Sequence, residues 1–410
     1  MTIENSIKIS LKDGAAFTSF RFYNELLPEI ANYYRSSEYK GQPPVIVLDR
    51  DLIIEPSTLP LIITLGAHLK QFHRRSLVLE LENDLGSNGI IKFLQKSDFL
   101  NLVGDNVNPN FPIGRRIFEF DKRQVGDFKN KNEQRTDHKV RIYSLNDSGV
   151  MNVNLIEGEE AKRDFLIEYF TFLVAKHFED LLNDIKASEV IKGQFVNILS
   201  ELITNGLYHS GSDTYVMMFS NRYKTTCSIS DNGIGLFNTI STKPANEYYT
   251  PLSVFSELKY KVKLKMSEAI QKCAFSIFET FYFSMLKNRQ GLFDLMLNVV
   301  INCKGYFRLH YDSVQIIVSG RMLPELNQLS KIRSEITIAH NKLNFGLLPK
   351  DEFLKLMILL TTQAKEAVIS LALSIFQKYS QDVQFSAIRI FNIKFKGVHI
   401  ETEIPQEIIN

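Results

Sequence analysis

Two stretches decide how this chain reads: ELITNGLYHS, residues 201–210, and SISDNGIGL, residues 228–236. The first resembles the end of an amphipathic helix, with Leu202, Ile203 and Leu207 as apolar contacts and Ser210 and Gly211 as a stop. Within it Glu201, Asn205 and His209 recur at four-residue spacing, so the spacing places them along one helix face. A carboxylate, an amide and an imidazole in one stripe call for a polar partner, unless the stripe is simply solvated. The second stretch ends a strand on Asp231 and turns through Gly233 and Gly235. Glycines allow positive φ and let a ligand approach with no Cβ in the way. An ionised carboxylate only accepts hydrogen bonds, which suits an exocyclic amine such as that of adenine. Alone, a D-x-G-x-G also fits a plain turn.

The bulk numbers narrow the classes. At 410 residues the chain has room for two or three domains with proper cores. Charged residues at 23% and hydrophobic ones at 44% are the balance of a soluble globular protein. A net charge of +2 gives no argument for nucleic acid or an acidic membrane surface. Cys227, Cys273 and Cys303 lack metal-ligand spacing, which fits buried thiols in a reducing compartment. MTIENSIKIS has no charged-then-apolar leader pattern, and the apolar run 352–373 is broken by Lys355, Gln363, Lys365 and Glu366. The expectation is a cytoplasmic, multidomain protein.

The first hundred residues read as α/β. PPVIVLD (43–49) is a strand buried on both faces, 58–73 a helix with Leu61, Leu65 and Leu69 on one stripe, 76–81 a strand and 89–99 a helix. Residues 104–148 change character, and the polar run 121–139 reads as a linker or surface excursion. A helix is expected over 158–183 with Phe165, Tyr169, Phe172 and Leu173 as core contacts, and another over 188–209. Strands follow at 214–219 and 225–230, helices at 267–286 and 291–303, and a hairpin at 305–311 and 314–318. Residues 320–385 read as a mainly helical insertion, and 385–404 alternates as strand.

E-x-x-x-N-x-x-x-H on a helix, two strands, then DNGIG resembles the Bergerat-fold ATP-binding domain of gyrase B subunits, MutL proteins, histidine kinases and anti-sigma-factor serine kinases. The resemblance implies that Asn205 ligates magnesium through its amide oxygen and that Asp231 reads adenine. It also implies that Gly233 and Gly235 line the base pocket and that Glu201 is the general base. An amide oxygen is a hard ligand suited to a magnesium ion that keeps waters and phosphates as its other ligands. Further along, NRQGLFDLML resembles the family's phosphate turn, so Gly291 and Leu292 would open a helix whose amides meet phosphate. Lys287 and Arg289 are the nearby cations, and His209 is a candidate phosphate or lid contact. KGVHIETEIP (396–405) resembles the closing strand, whereas Phe293 stands where the family often has glycine.

Residues 45–81 resemble the STAS fold of anti-sigma-antagonist proteins. There E-P-S-T-L places Ser57 at the phosphoacceptor position, although Ser57 also suits a plain helix N-cap. The expected fold class is therefore α/β: a STAS-like domain (1–104), a linker (105–150) and a two-layer α/β sandwich of Bergerat type (151–405) with a helical insertion (320–385). The expected function is a Mg-ATP-binding regulator with ATPase or serine-kinase-like phosphotransfer, using ATP and Mg2+. A catalytically weak or inactive ATP-gated interaction switch is the alternative. Partners would be ATP and a protein met through the STAS-like domain, with a homodimer as a further candidate, and neither nucleic acid nor membrane.

Overall fold

The computed structural model describes the chain apart from residues 1–5, 11–13, 38, 83–88, 109–111, 126–137, 148, 185–188, 211, 264–265, 382–385 and 407–410. The side chains of 124–125, 151, 180–184, 189–191 and 209–210 are also outside the description. The fold is mixed α/β, with one parallel and one antiparallel sheet.

The first sheet runs β1 (Ser6–Ile9), β2 (Val45–Leu48), β3 (Leu77–Leu81), β4 (Phe118–Glu119), in that order and all parallel. Parallel strands need helical crossovers, and the chain supplies α1 (Leu27–Arg35) and α2 (Leu59–His73) among them. α2 buries Leu61, Leu65 and Leu69 as the spacing requires, but also Leu59, Ile62 and Ile63. An all-round apolar helix has to be covered on every side. Here the cover is double, because α2 also packs on two strands of the second sheet.

That second sheet is antiparallel throughout, in the order β5 (Val140–Tyr143), β6 (Thr214–Ser220), β7 (Lys224–Asp231), β9 (Ile388–Pro405), β8 (Tyr306–Val318). Strand alternation splits its faces. Tyr215 and Met217 of β6 join the core of the first unit, while Val216 and Met218 join the core beneath the later helices. The segment 105–150, expected as a linker, thus gives an edge strand to each sheet. The hairpin expected at 305–318 is instead one strand. Asp312, at φ +57°, makes an irregularity rather than a reversal, and both halves of β8 pair with β9.

The outer layer comprises α3 (Glu159–Asp184), α4 (Glu189–Ser210), α5 (Glu268–Leu286), α6 (Leu292–Leu297, continued by a π turn Asn298–Asn302), α7 (Leu323–Asn344) and α8 (Lys350–Gln377). On α3 the buried stripe is Leu166, Phe170, Val174 and Phe178, one position on from the expected Phe165, Tyr169 and Leu173. Phe172 is exposed, because at this helix phase it points away from the sheet. α8 is long and apolar enough to cross a membrane by length and composition, but half of its apolar window is buried inside the protein. Phe353, Met357, Leu360, Ala364, Leu371 and Ile375 form that inner face, against α5 and α7.

Candidate functional site

α4 lies on the sheet through Ile198, Leu199, Leu202, Ile203 and Leu207, which turns Glu201 and Asn205 toward the end of β7. Gly206 allows the close approach: a Cβ there would stand 2.4 Å from Thr214 Oγ1 on β6. β7 ends on Asp231, whose carboxylate accepts from the Gly233 amide at 2.6 Å. The next residue ties the turn to the first unit, with Asn232 Nδ2 donating to the Thr64 carbonyl of α2 at 3.0 Å. Gly235 takes φ +82°, and a Cβ there would stand 2.4 Å from the Tyr311 ring. This is the left-handed region where glycine is the natural choice.

These pieces enclose a cavity of about 130 Å³. Of the residues singled out in the sequence, Glu201, Asn205, Asp231, Gly233, Gly235, Gly291 and Leu292 all line it, and so does Lys287. Arg289 does not. It faces outward in an ion pair with Asp164, with Glu160 at 4.0 Å. The His209 side chain lies outside the described residues. Ser57 is elsewhere: only 1% exposed, in the Pro56–Thr58 turn that packs against β6 and β7. Its hydroxyl neither caps α2 nor meets any partner among the described residues, so the helix N-cap expected of it is corrected.

Arg163 of α3 was not legible as a site residue, since it sits in a charged run, EEAKRDF, with no diagnostic spacing. The structure brings its Nη2 to donate to both the Glu201 carboxylate and Asn205 Oδ1, the latter at 2.7 Å. Lys243, just past the short helix Leu236–Ser241 that follows the turn, lines the same cavity. Lys243 and Lys287 both stand by the Phe283 ring, at 5.7 and 4.9 Å from its centre. Burial, helped by Arg163 and opposed by Glu201, lowers the Lys287 ammonium to about 7. Burial also raises Asp231 to about 6, against hydrogen bonds from Gly233 and Val398 that favour its charged form. Lys243 and Lys287 bring positive charge to the wall of the cavity, opposite the Glu201 and Asp231 carboxylates that also line it.

The glycine turn departs from the expected phosphate cradle. The Gly291 amide donates to Asp294 of its own helix at 2.9 Å, and the Phe293 amide donates to Ser284 Oγ at 3.1 Å. Phe293 is fully buried in the core, which accounts for its place in the sequence. Asp294 is held in turn by Arg333 of α7, whose Nε and Nη2 donate at 2.8 and 3.0 Å. Arg333 also donates to the carbonyls of Met285, Lys287 and Arg289. α7 therefore pins the turn. A second brace is Glu279 of α5, which accepts from the Val254 and Phe255 amides at 2.8 and 2.9 Å and fixes the helix Ser253–Lys261.

Among the described residues no group of three His, Cys, Asp or Glu side chains comes together as a metal cluster. Any metal here would rest on few protein donors, as magnesium does when phosphates complete its shell. Comparison with protein-family models, curated proteins and solved structures returned no match, so the site stands on its residues and geometry.

Proposed function

We propose that this chain is a Mg-ATP-binding regulatory protein, with a STAS-like N-terminal unit and a Bergerat-type ATP-binding unit. The observation that carries the reading is that three separate segments, 201–205, 231–235 and 287–292, line one cavity, with Lys243 and Lys287 on its wall. Asp231 would accept from the adenine amine, and Lys243 and Lys287 would meet the phosphates. The Asn205 amide oxygen fits magnesium by donor type once Arg163 is withdrawn from it. The metal would supply charge neutralisation on the phosphates. If phosphate is released or transferred, Glu201 is the base that takes the proton from the attacking hydroxyl or water.

Three observations favour the second reading, an ATP-gated interaction switch with little or no turnover. Arg163 pairs with Glu201 and occupies Asn205, and the Gly291 and Phe293 amides are already bonded within the fold. The cavity, at about 130 Å³, is also smaller than the roughly 300 Å³ at which sites for drug-sized ligands begin. Admitting ATP then requires Arg163 and the α5 end carrying Lys287 to give way, and that movement would be the signal. Ser57 is too buried to receive phosphate without separation of the units, so an acceptor, if there is one, is water or another protein.

Calorimetric titration with ATP and magnesium tests the reading. Wild type should bind and Asp231→Asn should not; equal binding by both refutes the site. Phosphate release by wild type and its loss in Glu201→Ala would support the enzyme, whereas binding with no release decides for the switch.

A further inference from the structure

A second and larger cavity, about 830 Å³, shares the Gly233–Gly235 turn with the candidate nucleotide cavity but none of its other walls. It lies between the two units. Ile30 and Tyr34 of α1 and Leu69 and Phe72 of α2 form one side, with Tyr311 and Ile393 of the second sheet across from them. A groove of this size with such walls suits the apolar body of a small molecule. Its charges are one-sided. Lys272, Lys394 and Lys396 are exposed on its lining, and Asp312 is the single carboxylate there, 3.6 Å from Lys394. Lys272 is held over the Phe237 ring at 3.9 Å, so its charge stays beside the groove.

We propose that this groove binds an amphipathic organic anion of the fatty-carboxylate kind, its apolar body between α1, α2 and the sheet and its carboxylate at the lysines. The turn is a wall of both cavities, so a ligand in the groove bears directly on the backbone that carries Asp231. This coupling rests on the nucleotide reading; the groove site does not.

The test uses the full chain and anilinonaphthalene sulfonate as a fluorescent probe, displaced by dodecanoate or by uncharged dodecanol. Saturable probe binding is expected, with dodecanoate displacing it ~10-fold better than dodecanol, as expected for a partly desolvated charge contact. The exposed-site variant Lys394→Glu/Lys396→Glu should lose that preference, and Ala31→Trp, which fills the groove, should lose probe binding. Equal displacement by acid and alcohol, or an unchanged preference in the lysine variant, overturns the proposal. So does undiminished binding by Ala31→Trp. In the presence of magnesium, dodecanoate should shift ATP affinity by ~5-fold, the low end of typical site coupling. ATP binding that dodecanoate leaves unmoved overturns the coupling, whereas failure of ATP to bind at all sinks the nucleotide reading and leaves the dodecanoate site standing.

Discussion

The Arg163–Glu201 pair gives the sharpest test of how this site is held. Glu201 is only 3% exposed, and Arg163 meets it from a neighbouring helix while also bonding Asn205 at 2.7 Å. Opposite charges in contact attract by about 5 kcal/mol at an effective dielectric of about 20, and desolvation returns part of that. Arg163→Met should therefore cost about 3–5 kcal/mol, because it leaves a buried carboxylate without its cation. Glu201→Gln should cost only about 1–2 kcal/mol, since Arg163 keeps Asn205 and reaches solvent. The double variant should resemble the milder single one, giving a coupling of about 3–5 kcal/mol in a double-mutant cycle. Urea unfolding of the four proteins measures it. Additivity within about 0.5 kcal/mol would refute a coupled pair. The pair also taxes ligand entry if it must open, so Arg163→Met should tighten Mg-ATP binding about tenfold for each 1.4 kcal/mol withheld. Equal or weaker binding would refute the lock.

His310 and His399 are cross-strand partners on β8 and β9, both buried under Tyr23, and burial lowers each to about 3. Their folded values lie below the ordinary 6.5, so the unfolded chain takes up protons first as pH falls. The stability they support is full above about 6.5 and drains away toward about 3, by about 1.4 kcal/mol per pH unit for each ring. Urea midpoints taken across that window should fall with acid, and a flat profile contradicts the assignment. Glu279→Ala leaves the Val254 and Phe255 N–H groups without the oxygen they share, so it should cost about 1–3 kcal/mol. Hydrogen exchange at Val254 and Phe255 should quicken, and unaltered protection would show that Glu279 braces nothing. Gly397→Ala would drive a Cβ to 1.8 Å from the Asp231 carbonyl at φ +98°, and a loss of more than about 3 kcal/mol is expected by thermal melting. A wild-type melting temperature would refute that close approach.

Local patterning carried much of this structure. The apolar runs at 45–48 and 77–81, the long helix ending at Ser210 and the strand ending on Asp231 follow from periodicity, because periods of 2.0 and 3.6 act over short range. The same patterning brought Glu201 and Asn205 onto one helix face and Asp231 to a strand end, which is why their convergence was foreseeable. Helix phase was less secure: on α3 two adjacent stripes are both apolar enough, and only packing on the sheet chose Leu166 and Phe170 over Phe165 and Tyr169. The role of Asp312 was also decided in three dimensions, since a bulge and a hairpin turn draw on the same residue types and only pairing along β9 separates them.

By itself, then, the sequence determined an α/β chain and the helix-and-turn frame of one polar site. Tertiary structure decided what fills and flanks that site. Arg163, Lys243 and Arg333 reach it from distant segments, and long-range charge pairing leaves no local period to read. It also decided that Ser57 is sealed between two sheets, that α2 is covered on both sides, and that a groove forms where the units meet. Burial and cavities belong to surfaces brought together by folding, and no window of neighbouring residues contains them.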